Sequence, residues 1–536
     1  MKTRIYNTLF LVIILVITLN CANRGNPSGG DKDVLPPKII KSEPENFSLN
    51  FTGEEIRIYF DEYVKIKNLS KQLIISPPME IEPEITPLST ANKYIKIKLK
   101  SKLEKNTTYS FNFGNSIVDN NEENPFPFFK YVFSTGTYID SLKVHGKISE
   151  ALDRKIESFV IVNLYERDST YTDSVVYLKK PRYMTNTQDS TTNFTLENVK
   201  AGTYKLVAIK DDNEDQKFQQ KTDKIGFVED FITVGQDSAF YDIKLFKETI
   251  DDKALKPRLV SGEKIAFGFE GDYTNFKIEN LSETPKDFKS VTIKQFETDS
   301  LNYFYKPKLE QDSLIFNVSN SKQIDTFTVR LKDNRRDSLK IISLNKGKIG
   351  LDESFRLNAN IPLTSIKKRF IKLIDKDSIK VDYKVKLNKL ENTYDFTFNK
   401  TEDNKYTLDL LPKALTDFFG NTNDTLQFKV STRKLSSYGN KKVDLKNATF
   451  PLFVQLVDKD NVVKYSHYIK NKKQPIEFLN TDPGIYYLRV LFDTNKNGIY
   501  DTGNYLKQEQ PERVSYAKKE IEVRANWDEI IEFTLD

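Results

Sequence analysis

Asp493, Asn495, Asn497 and Asp501 are the residues whose types and spacing come closest to a chemical site. They form Asp493-x-Asn495-x-Asn497-Gly498, alternate oxygen-bearing side chains followed by a glycine, with Asp501 at the ninth position. That is the pattern of a calcium loop, in which carboxylate and amide oxygens surround a hard cation and the glycine makes the sharp turn. At the twelfth position, where such a loop carries a bidentate glutamate, this chain has Asn504. Two carboxylates without a bidentate ligand predict weak affinity, on the order of 10⁻⁴ M or poorer. An earlier stretch, Asp211-x-Asn213-x-Asp215, repeats the spacing without the glycine and has Gln219 at the ninth position. The simpler reading of both is an Asx turn between strands. Weak calcium is the one cofactor the sequence suggests.

Other chemistry is poorly served. The two histidines, His145 and His467, lie in different expected units, and each reads as an ordinary strand or surface residue rather than the base of a nucleophilic site, which needs the base within hydrogen-bond reach of its nucleophile. No Gly-x-Ser-x-Gly elbow and no phosphate-cradling glycine loop occurs. Asp61 and Glu62 are adjacent on an expected strand and so point to opposite faces. No catalysis is expected, although a hydrolase built on paired carboxylates stays open as an alternative.

Cys21 is the only cysteine. It follows Lys2, Arg4 and an apolar run from Leu9 to Ile17, which is a secretory signal pattern with cysteine at the cleavage point. The run is shorter than the roughly 20 residues needed to span a bilayer. The pattern resembles a bacterial lipoprotein signal, which implies lipidation of Cys21 and a membrane anchor. The cysteine would then be unavailable as a nucleophile or zinc ligand. Residues 21–34, rich in Gly, Asn, Ser and charge, read as a flexible tether. Formal charge is +6, or +4 without Lys2 and Arg4, with lysines and acids interleaved. No basic block suggests a nucleic-acid partner.

A third pattern is Asp-Ser/Thr followed by an aliphatic residue. Its hydroxyls are Ser141, Ser174, Ser238, Ser300, Ser313, Ser338, Ser378 and Thr425. It is similar to the O-glycosylation sequon of Bacteroidetes exported proteins. The simpler reading is a turn that hands over to a strand.

The elements that must position these residues are strands. Alternation recurs in Glu55–Phe60, Tyr94–Leu99, Tyr109–Phe113, Tyr204–Leu206, Phe327–Val329 and Gln427–Val430. Each run sets β-branched and aromatic side chains on one face and polar ones on the other. Turn-forming clusters punctuate them about every 8–12 residues, the spacing of β-sandwiches. Helical periodicity is weak, with short candidates at Lys67–Gln72 and Pro412–Phe419.

The chain repeats itself. Residues Phe194–Asp211 align with Ile476–Asp493, matching Asn198 to Asn480, Gly202 to Gly484, Tyr204 to Tyr486 and Asp211 to Asp493. A fainter pair joins Ile56–Val64 to Phe355–Leu363 and Tyr109–Thr135 to Tyr406–Thr432. The expected organisation is a signal at 1–20, the tether, and units at 35–138, 139–250, 251–346, 347–434 and 435–536. Their order is A-B-C-A′-B′.

The first unit resembles the bacterial Ig-like domain of the SbsA type. Pro36-Pro37, Ser42-x-Pro44-x-Asn46, the strand Ile56–Val64, Leu103 with Tyr109, and Phe133-Ser134-Thr135-Gly136 carry the likeness over about 100 residues. The segment Cys21–Gly30 resembles the start of envelope lipoproteins of Bacteroidetes-type bacteria. On Phe-x-Leu and Gly-x-Tyr-x-Leu, the B units look like transthyretin- or carboxypeptidase-regulatory-type sandwiches. These resemblances imply an all-β chain of tandem Ig-like and transthyretin-like sandwiches. They imply an outer-membrane lipoprotein facing the periplasm or the cell surface. Its role would be structural or adhesive. A glycan- or peptide-binding accessory module is the alternative. The expected partners are the membrane, through the anchor, and an envelope protein or glycan.

Overall fold

The computed structural model describes residues 32–88, 90–187, 191–235 and 239–535. Cys21, the apolar run before it and Ser238 lie outside the described residues. Among the described residues no helix is long and apolar enough to cross a membrane. The chain is all-β, a tandem of Ig-like and transthyretin-like sandwiches. The α-helix described is two single turns, Leu69–Gln72 and Val175–Leu178. Alternation is what builds each sandwich. In Glu55–Ile66, Ile56, Ile58 and Phe60 are buried while Arg57 and Asp61 are exposed. Among the described residues seven apolar clusters form: five lie between the two sheets of one unit each, one joins the second unit to the fifth, and one joins the third to the fourth.

The first and fourth units share one strand order. In the first, Glu55–Ile66 pairs with Ile39–Glu43, Asn92–Lys98 and Ile117–Asp119. In the fourth this long strand is split. Phe355–Ala359 pairs with Ile341–Ser343 and Thr393–Phe398, and Leu363–Ile366 pairs with Leu415–Asp417. Pro362 sits at the break, where it has no N–H to give a ladder. The facing sheets correspond too: Ile74–Ser76, Thr108–Asn112 and Lys130–Ser134 match Ile371–Ile374, Lys405–Leu410 and Leu426–Ser431.

Two details differ from expectation. Ile341–Ser343 lies before the boundary placed near Lys346, because Leu339 and Ile341 pack on the fourth core rather than the third. Residues Pro412–Phe419 form a turn and the short strand Leu415–Asp417, not a helix. Asp417 turns the chain there by accepting the backbone N–H groups of Phe419 and Asn421 at 2.9 and 2.8 Å.

The second and fifth units share another order. Leu142–Glu150 lies antiparallel to Asn193–Val199 and parallel to Phe240–Leu245. Gly439–Lys446 stands in the same relation to Ile476–Thr481 and Asp528–Thr534. In the facing sheets, Gly202–Lys210 and Gly484–Phe492 are the central strands. The third unit packs a sheet centred on Lys264–Glu270 against Lys277–Asn280, Ser313–Ser319 and Ile324–Arg330.

Candidate functional site

The repeat places one corner twice. Tyr204 donates its hydroxyl to the Lys200 carbonyl at 3.0 Å, and Tyr486 donates to the Asp482 carbonyl at 2.9 Å. Asn198 and Asn480 precede these corners with φ of 59° and 52°, the left-handed region that asparagine tolerates. Each central strand then ends in an acidic loop, opened by Asp211 in one copy and Asp493 in the other.

The later loop gathers all four residues singled out from the sequence. Asp493 is 1% exposed. Its Oδ2 accepts the Tyr468 hydroxyl at 2.6 Å and the Gly498 N–H at 2.9 Å, and its Oδ1 accepts the Asn497 N–H at 3.0 Å. Burial pushes this carboxyl up, but the Tyr468 hydroxyl and the backbone N–H groups outweigh it, so the group titrates below the usual range. Asn495 and Asn497 donate their side-chain amides to Asp501 Oδ2 at 2.6 and 2.8 Å. The amides thus present nitrogen to Asp501, and both would have to turn over to offer oxygen to a cation. Among the described residues no group of three His, Cys, Asp or Glu gathers as a metal cluster.

The earlier loop is closed by the same logic. Asp211 accepts the Asn213 and Gln216 N–H groups at 3.1 and 2.7 Å, and Asn213 donates to Gln219 Oε1 at 2.6 Å. Burial holds the Asp211 carboxyl above its usual range.

Sequence reasoning missed the role of the segment after Asp501. The second copy's loop spans 493–513 where the first copy's spans 211–223, and the extra length docks on the second unit. Thr502 donates to the Lys247 carbonyl at 2.5 Å, Tyr505 N–H to Glu248 Oε1 at 2.6 Å, and Gln510 to the Phe227 carbonyl at 3.0 Å. The buried Lys205 ammonium reaches Gln508 Oε1 at 2.5 Å. Tyr505 is fully buried against Phe227, Phe246, Phe218 and Tyr165. Gly503 makes this approach possible. Its φ is +94°, and a Cβ there would sit 3.0 Å from the Phe246 ring and 2.9 Å from Pro511 N. A second contact lies alongside: Tyr516 donates to the Leu152 carbonyl at 2.8 Å, and the Arg154 guanidinium lies 3.4 Å from the Tyr487 ring centre. The loop-length difference and the glycine were the available signals.

The remaining candidates are dispersed. His145 and His467 lie in strands of separate units, their rings 5.8 Å from Phe240 and 4.8 Å from Phe478. Ser300 and Ser313 are the first residues of strands, and Ser141 and Thr425 immediately precede strands. Ser174 precedes the turn Val175–Leu178, and its hydroxyl pairs with that of Thr172 at 3.0 Å. Ser141, Ser338, Ser378 and Thr425 are exposed.

Residues 33–135 match the family described as bacterial Ig-like domain. Residues 153–250 match a family described as an uncharacterized protein conserved in bacteria (DUF2141). No curated protein matches the chain. Among solved structures, the surface layer protein SbsC, domains 4–9, is similar at 11% identity and a TM-score of 0.20, over 79% of this chain and 64% of that one. Its domains 1–6 are similar at 11% identity and a TM-score of 0.16, over 91% and 67%. BcpA, the major pilin subunit of Bacillus cereus, is similar at 10% identity and a TM-score of 0.13, over 74% and 99%. Likenesses this distant carry no inference about activity or partner.

Proposed function

We propose that the chain is a lipid-anchored, multidomain protein of the bacterial cell envelope with a structural or adhesive role and no catalysis. The observation that carries this reading is the docking of the fifth unit on the second. It ties the fifth sandwich to the second, as a smaller apolar cluster ties the third to the fourth, an arrangement that suits a scaffold. The bacterial Ig-like family match of the first unit agrees with it. So does Cys21, placed directly after a secretory apolar run. The histidines form no acid–base pair with each other, since each lies against a phenylalanine of its own unit, edge-on for His145 and tilted for His467. The exposed hydroxyls of Ser141, Ser338, Ser378 and Thr425 suit O-glycosylation of such a surface.

Membrane fractionation tests the anchor. Two acyl chains hold a protein firmly at about 0.8 kcal/mol per buried CH₂, whereas one chain binds only marginally. Cys21→Ser is expected to release the protein to the soluble fraction or to leave an unprocessed precursor. Normal processing and unchanged attachment would refute the lipoprotein reading. Cross-linking in intact envelopes, followed by identification of the captured molecule, then tests the interaction role.

A further inference from the structure

The fifth unit is open along a seam that the second unit closes. In the second unit, Lys224–Phe227 meets the end of Phe240–Leu245. Ile225 N–H donates to the Phe246 carbonyl at 2.9 Å, and Phe246 N–H donates to the Ile225 carbonyl at 2.8 Å. Gly226 permits this approach, because a Cβ there would strike the Lys244 carbonyl and lie 2.8 Å from the Ile243 side chain. Gly226 pairs with Ala208 and Ser515 with Val490, so the match of Tyr204 to Tyr486 makes Ser515 the counterpart of Gly226. The fifth unit thus carries a side chain where the second has none, and its seam stays parted as a groove of about 860 Å³.

The banks of the groove are strand edges and its floor is core. Asp528–Thr534 forms one bank and residues 516–522 the other. Between them lie Ala517, Ile521, Ile531 and Phe533, all part of the fifth unit's apolar core. Asp528–Thr534 ends its sheet, and among the described residues it pairs with Gly439–Lys446 alone. The Trp527 carbonyl accepts the Asn440 N–H at 3.0 Å, and the Leu535 N–H donates to the Lys446 carbonyl at 3.1 Å. Odd-numbered residues therefore address that neighbour, while Ile530 and Glu532 turn their N–H and C=O groups to the free edge. An open ladder beside accessible core is what an added strand satisfies, through main-chain bonds and alternate side chains set on the core.

Charge selects the strand. Asp528–Thr534 carries Asp528, Glu529 and Glu532 and no base. Lys441 engages Glu529, and the Asn440 amide donates to Asp528 at 2.8 Å. Glu532 has no ion pair among the described residues. The opposite bank is close to balanced, with Lys518, Lys519 and Arg524 against Glu520 and Glu522. A second copy of the Asp528–Thr534 edge would set three more acids against these three. A strand with lysine or arginine on its outer face meets Glu532 with opposite charge.

We infer that this groove takes an extended peptide segment of another protein by strand addition. The segment lays apolar residues on Ile521, Ile531 and Phe533 and presents basic residues beside Glu532. The inference rests on the interaction role proposed above and gives it a surface. It is tested without membranes, so its failure leaves the anchored, structural reading standing.

Trp527 lines the groove, is 54% exposed and is the chain's only tryptophan, so its emission reports occupancy. The full chain is titrated with a peptide of alternating lysine and valine and with its glutamate–valine counterpart. A third probe is the lysine–valine peptide fully N-methylated, which has no backbone N–H to give a ladder. The lysine–valine peptide is expected to shift Trp527 emission to the blue in a saturable way, and the other two to bind at least about fivefold more weakly. Glu532→Lys, at an exposed position, should weaken the lysine–valine peptide about fivefold with unchanged melting. The inference is overturned if the lysine–valine peptide does not bind, if the N-methylated form binds equally, or if Glu532→Lys binds it as well as the parent. A blue shift that follows protein concentration alone, with a doubled mass in sedimentation, would assign the groove to a second copy and overturn it too.

Discussion

The backbone N–H of Tyr505 donates to Oε1 of Glu248 at 2.6 Å, across 257 residues of sequence. The bond joins two copies of one fold through the loop that only the later copy has lengthened. Gln220 completes the Glu248 carboxylate from the other side at 3.0 Å. A buried carboxylate satisfied by both copies makes the contact specific as well as apolar.

Removing the Tyr505 ring should open this contact. Truncating a fully buried aromatic to alanine costs about 3–5 kcal/mol. Tyr505→Ala is expected to leave all five cores folded but to undock the loop. Small-angle scattering should show a larger radius of gyration, and trypsin should cut faster at Lys507. Gly503→Ala should act alike, because its φ and the Phe246 ring leave no room for a Cβ. Unchanged scattering in both variants would mean that the loop does not brace the array.

The second unit, which carries one side of the docked contact, should lose stability as pH rises. Burial raises Glu248, and it pushes Glu150 up to about 7 despite three-way pairing of Lys224 with Glu150, Asp153 and Glu157. A carboxyl raised on folding binds its proton more tightly in the folded state. Its contribution is fully present below the ordinary value near 4.5 and is lost as pH climbs through about 7. The first thermal transition should therefore fall between pH 5 and 8, and Glu150→Gln should flatten that slope. A transition that rises over this range would contradict the assignment.

Tyr204→Phe and Tyr486→Phe should destabilise their own units by similar amounts. Each removes one hydroxyl-to-carbonyl bond, worth about 1 kcal/mol. The two sites share no partner, so the double variant should show the sum. Urea unfolding followed by tyrosine fluorescence measures this. A loss in one variant only would show that the corners differ in strain despite matching geometry.

Much of this was legible in the chain. Alternation in Glu55–Ile66 and the match of Tyr204 to Tyr486 are local signals, fixed by which side chains face a core. The four residues of the later acidic loop do come together, since they lie within one turn. The longer loop and Gly503 marked the segment as unusual, but the partner of Tyr505 was not legible, because it lies some 250 positions away and no periodic pattern encodes such a contact. Pro412–Phe419 misled for a related reason. Ala414, Leu415 and Phe418 are spaced as a helix face would be, yet the Asp417 turn and the pairing of Leu415–Asp417 with Leu363–Ile366 override local propensity.

Calcium is the sharpest test of the later loop. With Asp493 and Asp501 as the carboxylates of the motif, Glu512 already accepting the Thr494 and Asp501 N–H groups at 2.5 and 3.1 Å, and two amides that must rotate, affinity should be no better than on the order of 10⁻⁴ M. At about tenfold excess over that constant, linkage adds only about 1.4 kcal/mol to the fifth unit. The Asn amides would leave Asp501 and turn their oxygens inward, while Tyr468 would have to yield its bond to Asp493. Binding should therefore lower the high titration point that Asp493 imposes on the Tyr468 hydroxyl. Millimolar calcium should raise the melting transition of the full chain by a degree or a few relative to chelator, and Asp493→Ala should abolish the shift. Asp493→Asn keeps the turn's acceptor while removing the charge, so it separates loop integrity from cation binding. Identical melts in calcium and chelator would leave the loop an Asx turn whose work is to launch Tyr505 toward Glu248.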